Sequence, residues 1–294
     1  MTVSADAPGE NFLVKRNIIP PQALDYALPV VHKIEKTNQV CDADFLRTKE
    51  LIIANAQKFL KDEWEEVLPE DIFKLVIVDE AHHHPSKTWR RIIQKFRNHA
   101  MVVFFTATPY RDDGQAVLPK EEGEIVYRLS LENARQQRII RGIYWHDPLV
   151  AAGGTDVHER FDSILERVKS IQENKDMTNP LPDGIPHMAI AITKNIAYAE
   201  KVATMWNTDY GNPGSAIAYH SDLPKKTKNN MMEAIKANRV KLVVVVESLL
   251  EGFDHPPISI AAIMTKIVSP VKFAQFIGRA QRIIRVLGFF FHLV

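Results

Sequence analysis

One cysteine in 294 residues, Cys41, has no partner for an internal disulfide. The chain therefore folds without covalent cross-links, as expected of a reducing, intracellular setting, cytoplasmic or nuclear. Charge of one sign is also lacking. With 37 Lys+Arg against 36 Asp+Glu the formal net charge is +1, which excludes a global basic field, so any surface for a polyanion has to be local. Apolar stretches such as residues 243–246 and the terminal 289–294 fall well short of the roughly 18 to 20 residues that span a bilayer. Residues 1–10 carry neither the apolar core nor the arginine-rich pattern of a targeting segment. Glycine is scarce, with 12 residues, and none is followed by Lys-Ser or Lys-Thr. The Gly-x-x-x-x-Gly-Lys-Ser/Thr loop that cradles nucleotide phosphates is thus absent from the sequence. No repeat of 20 to 50 residues and no low-complexity tract appears.

What is present suffices for two domains, since 46% hydrophobic residues allow a core in each. The opening to Asn38, punctuated by Pro8, Pro20, Pro21 and Pro29, reads as irregular backbone leading into a weak helix. A strand is expected over residues 51–54 and a helix over 57–66, where Phe59, Leu60 and Trp64 recur near helical spacing. Residues 73–78 form a near-continuous apolar run, the pattern of a parallel strand covered on both faces. A helix over 87–98 and a strand over 101–105 follow. Strand, helix and strand at these lengths predict right-handed crossovers in a parallel sheet, whose ligands gather at the carboxyl ends of the strands. Beyond Gly153-Gly154 a charged helix is expected over 157–174 and a turn-rich stretch over 179–186. Strands over 188–192, 216–219, 242–246 and 260–264, with helices over 196–206 and 226–238, complete a second α/β domain.

Two positions stand out for chemistry because each lies just after an apolar strand. Leu75-Val76-Ile77-Val78-Asp79-Glu80-Ala81-His82 delivers adjacent carboxylates at a strand end. One carboxylate can hold Mg²⁺ through its water shell while the other polarises an attacking water, although an acidic surface turn would look the same by itself. Thr106-Ala107-Thr108-Pro109 ends the next strand, where hydroxyls and a proline are also ordinary turn chemistry. The run His82 to His84 is not a metal site by spacing, because three consecutive side chains of regular backbone cannot face one ion. Near the carboxyl end, Gln275-Phe276-Ile277-Gly278-Arg279-Ala280-Gln281-Arg282 places two planar, permanently charged forks where they could bind phosphate oxygens.

Together these segments resemble superfamily 2 helicases and translocases: the DEAH box, the Ser/Thr-Ala-Thr motif and the closing Gln-x-x-Gly-Arg-x-x-Arg motif. The extension Tyr110-Arg111-Asp112-Asp113-Gly114 is most similar to the branch containing type III restriction subunits. The resemblance implies two RecA-like parallel-sheet domains of the P-loop NTPase type, the first incomplete at its amino end. They would occupy residues 1–141 and 187–294, with 142–186 as linker and charged helix. It implies ATP and Mg²⁺ as cofactors and nucleic acid, DNA rather than RNA, as partner of a monomeric chain. By the same resemblance Asp79 holds Mg²⁺ through water, and Glu80, His82, Arg279 and Arg282 complete the catalytic set. Gln275, Gly252 and Asp254 would contact the nucleotide, the last two within Leu250-Glu251-Gly252-Phe253-Asp254. Thr106 and Thr108 would couple hydrolysis to movement, and Asn55 and Gln57 would meet the nucleic-acid backbone. Val246-Glu247 departs from the Thr-Asp of many members. Tyr219-His220-Ser221-Asp222-Leu223 resembles the family's post-strand His-Ser segment, and residues 190–202 its opening strand and helix. The missing phosphate loop implies a core that does not hydrolyse ATP by itself. The alternatives are a helicase-like module that binds nucleic acid or protein without turnover, and a fragment of a full helicase.

Overall fold

The computed structural model describes residues 31–61, 63–81, 87–108, 123–146, 156–246 and 255–283. The chain divides into two compact units, residues 1–119 and 120–294. The division falls ahead of residue 141, where the sequence-based boundary was drawn, and each unit is taken by itself.

In the first unit β1 (Val31–Lys33) pairs in parallel with β2 (Leu51–Ile53), and β3 (Leu75–Val78) pairs in parallel with β4 (Met101–Phe104). The strand β1 stands where irregular backbone leading into a helix was expected, because its partner β2 recruits an extended segment whose local sequence signals neither state. Between β1 and β2 lies α1 (Ala43–Arg47), started by the Asp42 carboxylate accepting the Phe45 amide at 2.9 Å. The single helix expected over 57–66 is instead a 3-10 turn at Ala56–Phe59 followed by α2 (Glu63–Val67). The break has a cause: the Trp64 indole N–H donates to the Phe59 carbonyl at 2.9 Å, taking up a carbonyl that a continuing helix would have bonded itself.

Trp64 is also the centre of the unit's core. Phe59 meets it edge-on at 5.2 Å, Phe96 lies tilted at 6.1 Å, and Phe73 packs edge-on against Phe96 at 5.0 Å. Phe96 comes from α3 (Lys87–Phe96), whose Ile92, Ile93 and Phe96 are buried on one face as the period of 3.6 requires. One side of β3 and β4, through Val76, Val78, Val102 and Phe104, packs on this layer. The opposite side does not. Ile77 is 56% exposed and Met101 69%, with Leu75 and Phe105 also exposed, so the run at 73–78 is covered on one face and not on two.

The second unit is a parallel α/β domain, as expected, and its sheet is covered on both faces. Its strands β5 (Met188–Thr193), β6 (Ala216–Tyr219), β7 (Leu242–Val246) and β8 (Ile258–Ile263) run parallel in the order β6-β7-β5-β8. All six residues of β5 and all five of β7 are buried, which places these strands in the interior. Alternation splits them between two cores. Ala189, Ala191, Leu242 and Val244 pack with Phe161, Leu165 and Val168 of α5 (Val157–Thr178) and with Ala199 and Val202 of α6 (Ile196–Met205). Ile190, Ile192, Val243 and Val245 pack with Ile235 of α7 (Lys225–Lys236) and Phe276 of α8 (Pro270–Ala280). The charged helix expected in the junction is therefore one wall of this unit, with its apolar residues turned to the sheet.

Residues 123–146 belong to the same unit, with α4 at Leu131–Gln136. The segment after α4 docks on the sheet end. The Arg141 guanidinium donates to the Pro256 and Ile258 carbonyls at 2.9 and 3.2 Å, its amide donates to the Gln281 carbonyl at 2.8 Å, and Ile140 forms an antiparallel bridge with Arg282. Burial lowers the Arg141 pKa. Beside it, buried His187 is held at both ring nitrogens, Nδ1 by Ser259 Oγ at 2.7 Å and Nε2 by the Asn179 carbonyl at 2.8 Å. Gln172 donates to the His187 and Lys241 carbonyls at 3.1 and 2.8 Å.

Two outcomes follow from this packing. A piece comprising residues 120–294 is expected to unfold at higher urea concentration than one comprising 154–294, since the shorter piece loses the Arg141 bonds; equal midpoints would show the docked segment to be incidental. Burial also pushes the His187 imidazole below its ordinary value, an effect that the Asn179 carbonyl opposes and Lys175 reinforces. With a depressed native pKa the stabilising state is the neutral one. Its contribution is complete above the unfolded value of about 6.5 and is lost as pH falls from there through the native value. Urea midpoints of the 120–294 piece should fall across that window, and His187→Gln should flatten the fall.

Candidate nucleotide and nucleic-acid site

In the first unit the hydrogen-bond ladder between β3 and β4 runs on past the strands. Phe105 donates its amide to the Val78 carbonyl at 2.8 Å, and Ala81 donates to the Phe105 carbonyl at 2.9 Å. This continuation brings Asp79-Glu80-Ala81 alongside Phe105-Thr106 at the carboxyl end of the pair. The position is the one at which parallel α/β sheets present ligands.

Asp79 and Glu80 are both exposed, and their backbone is locally fixed. The Glu80 amide donates to Asp79 Oδ1 at 2.9 Å, and Glu80 takes a φ of 50°. A side chain other than glycine in the left-handed region carries strain of about 1 to 3 kcal/mol and persists where surrounding bonds hold it. Here those bonds are the ladder on either side. Across from them the Thr106 hydroxyl donates to the Thr108 carbonyl and accepts from the Thr108 amide, both at 3.1 Å. Thr106 thus folds the turn, as turn chemistry alone would predict. Thr108 differs, since its Oγ1 is buried with no hydrogen-bond partner among the described residues. Asn55 and Gln57 lie after β2, both exposed, with the Asn55 carbonyl oxygen accepting the Gln57 amide at 2.9 Å and capping the 3-10 turn. His82, Gly252 and Asp254 lie outside the described residues.

In the second unit the closing motif is the carboxyl half of α8. The helix starts at Ser269, whose Oγ accepts the Lys272 amide at 3.1 Å, with Pro270 at its first position. Phe276 and Ile277 face the core, which leaves Gln275 and Arg279 half-buried and Arg282 exposed just past the helix end. Gly278 sits inside this helix, where glycine costs about 1 kcal/mol relative to alanine. A Cβ built there meets nothing within 4 Å. Packing among the described residues therefore does not require a glycine at 278, and close approach by another group is the remaining physical reason for it. His220, at the end of β6, is buried with Nε2 3.7 Å from Glu200 and Nδ1 without a hydrogen-bond partner among the described residues. Among those residues no group of three or more His, Cys, Asp and Glu could hold a metal ion, and no helix is long and apolar enough to cross a membrane.

The strip from Ile140 to Trp145, laid along α8, was not foreseen from sequence. Its signal was present as the aromatic doublet Tyr144-Trp145 within an acid-free stretch. No motif draws attention to it.

These arrangements are those of a RecA-like helicase core, and comparison with known proteins agrees. The model of the "Type III restriction enzyme, res subunit" family matches residues 9–111, and that of the "Helicase conserved C-terminal domain" matches residues 183–284. The chain belongs to the superfamily 2 helicases, in the type III restriction-like branch. It is 22% identical to a protein named DNA 3'-5' translocase XPB2 from Sulfurisphaera tokodaii, over 71% of this chain and 56% of that one. It is 23% identical to a protein named as the type I restriction enzyme MjaIXP endonuclease subunit from Methanocaldococcus jannaschii, over 93% of this chain and 31% of that one. The chain thus spans about a third to just over half of the length of these relatives. In fold it is similar to a fragment of a type I restriction HsdR subunit from Vibrio vulnificus, with a TM-score of 0.58, 19% identity and coverage of 86% and 47% of the two chains. The DUF1998 helicase MrfA, solved with DNA and AMPPNP, gives a TM-score of 0.57 at 14% identity, over 91% of this chain and 37% of that one.

Gly278→Ala tests the reading of α8. If no packing among the described residues needs the glycine, the substitution should raise the stability of the second unit by up to about 1 kcal/mol in urea melts. A loss of stability would show that an unforeseen contact crowds the position.

Proposed function

We propose that this chain is a DNA-directed superfamily 2 core that engages a nucleic-acid strand but does not turn over ATP by itself. The observation that carries the reading is the juxtaposition, by the extended β3–β4 ladder, of the Asp79-Glu80 carboxylates with the Thr106–Thr108 turn. In this reading Asp79 would hold Mg²⁺ through water. One of its oxygens accepts the Glu80 amide and the residue is exposed, which fits a cation retained mainly by water and phosphate rather than by a protein cage. Glu80 would orient the attacking water, and the resemblance assigns His82 to the same set. By resemblance Gln275, Gly252 and Asp254 would contact a nucleotide, and Arg279 and Arg282 would stabilise charge on a transferred phosphoryl group only where a triphosphate is held. Thr106 and Thr108 would relay the nucleotide state, and the Thr108 hydroxyl is buried without a hydrogen-bond partner among the described residues. Asn55 and Gln57 meet the strand backbone, where contacts position rather than specify.

What this chain lacks is a phosphate hold. The sequence contains no Gly-x-x-x-x-Gly-Lys-Ser/Thr loop, and with it go the backbone N–H cradle, the lysine charge and a hydroxyl ligand for Mg²⁺. Positioning of reactants is worth several kcal/mol of barrier, so carboxylates and arginines without a held triphosphate do little.

Phosphate release measured on the purified chain with Mg-ATP, with and without single-stranded DNA, should remain at background, and Glu80→Gln should leave it there. Release above background that disappears in Glu80→Gln would overturn the proposal, and would mean that other residues or a second chain complete the site.

A further inference from the structure

The second unit exposes two adjacent aromatic side chains that no expected role uses. Tyr144 is 88% exposed and Trp145 66%. Aromatic rings of this size ordinarily bury 150 to 250 Å² and dominate cores and interfaces, so an exposed doublet on a docked, hydrogen-bonded strip is unusual. Trp145 is not a loose end. Its ring lies parallel to that of Phe273 on α8, with an interplanar angle of 4° and centroids 6.0 Å apart. The strip is pinned behind it by the Ile140–Arg282 bridge and the Arg141 bonds. One face of the indole is backed by a ring, and its large exposure therefore belongs to the other face and the edge. That is the geometry of a stacking platform.

Charge narrows the occupant. The strip at 137–146 and residues 270–282 carry Arg138, Lys272, Arg279 and Arg282 beside the half-buried Arg141 and no Asp or Glu, and Glu132 of the neighbouring α4 is paired with Arg135 at 2.8 Å. In a chain of net charge +1 such a stretch is a local basic field. A protein partner for an apolar patch would not require it; a chain of phosphates with planar bases would. From Phe273 to Arg282 the helix rise of 1.5 Å per residue gives roughly 13 Å, and the five steps from Ile140 to Trp145 give roughly 16 Å of extended chain. The strip and α8 thus run side by side in opposite directions, with the aromatic end well removed from the arginine end.

We propose that Trp145, backed by Phe273 and flanked by Tyr144, is a base-stacking site for single-stranded nucleic acid. The site rests on the reading of the chain as a nucleic-acid-binding core and adds residues to it. Stacking tolerates any base, because every base offers a π face, and the surrounding Lys and Arg residues meet the phosphates. A free nucleotide is the weaker candidate, since the sequence contains no Gly-x-x-x-x-Gly-Lys-Ser/Thr pattern, whereas a strand is retained by several phosphates at once.

The test is fluorescence anisotropy of a labelled thymidine oligonucleotide with the full chain at low and physiological salt. Trp145 is the most exposed tryptophan, Trp64 and Trp206 being buried and Trp89 half-buried, so quenching of intrinsic fluorescence reports the same event. Trp145→Ala should weaken binding about tenfold or more, Trp145→Phe should retain most of it, and the dependence on salt should be the same for all three proteins. Tyr144→Ala, a change at a more exposed position, gives a second reading should Trp145→Ala fail to fold, and is expected to weaken binding by a smaller factor. Binding by the parent chain that Trp145→Ala and Tyr144→Ala both leave unchanged would overturn this site while leaving the proposed function standing. No binding by the parent chain even at low salt would overturn both. Quenching of Trp145 by AMP-PNP alone, with displacement of the oligonucleotide, would overturn the strand assignment in favour of a nucleotide base.

Discussion

Parallel strands send apolar side chains to both faces of a sheet, and the chain is organised by how those faces are covered. In the second unit β5 and β7 are buried throughout because α5 and α6 close one side and α7 and α8 the other. In the first unit α3 and the aromatic cluster around Trp64 cover one side of β3 and β4, while Ile77 and Met101 on the other stand open to solvent. A parallel pair with a bare apolar face is short of the burial that normally stabilises it. Among the described residues the two units therefore differ: the sheet of the second is covered on both faces, and β3 and β4 of the first on one.

That same pairing of parallel strands sets the chemistry. Since β3 and β4 run the same way, their carboxyl ends lie together, and two further hydrogen bonds carry the register into the loops. The left-handed Glu80 is held by this continuation, so a conformation disfavoured locally is maintained by bonds on either side of it. Backbone fixed by such bonds sets the point from which the exposed Asp79 and Glu80 side chains leave the chain, which is the general advantage of placing polar groups at strand ends. The second unit uses a helix instead. Ser269 starts α8 and Phe276 anchors it, so its remaining faces carry Gln275 and Arg279 outward and align Phe273 with Trp145.

Much of this was legible in one dimension. Periodicity predicted β6 and β7 at their observed bounds and β5 and β8 within two residues, because fully buried strands and amphipathic helices leave strong patterns. The DEAH-like and Thr-Ala-Thr segments were legible for a related reason: each stands just where an apolar run ends, and the structure places both at the carboxyl ends of β3 and β4. The expected helix over 57–66 failed because local spacing cannot register a tryptophan indole bonding to the Phe59 carbonyl. The strand β1 failed because three residues acquire an extended state only through their partner.

By itself, then, the sequence determined the class of fold, the order of the strands from β2 onward and the family. Each of these depends on residue type and spacing along the chain. Tertiary structure decided which faces of the sheets are covered, that residues 123–146 pack with the second unit, that Glu80 adopts a left-handed conformation, and that Trp145 stacks on Phe273. The physical reason is the same throughout. These features arise from hydrogen bonds and contacts between residues distant in sequence, such as Arg141 with Pro256 and Ile140 with Arg282, and such pairings leave no periodic trace in the chain that makes them.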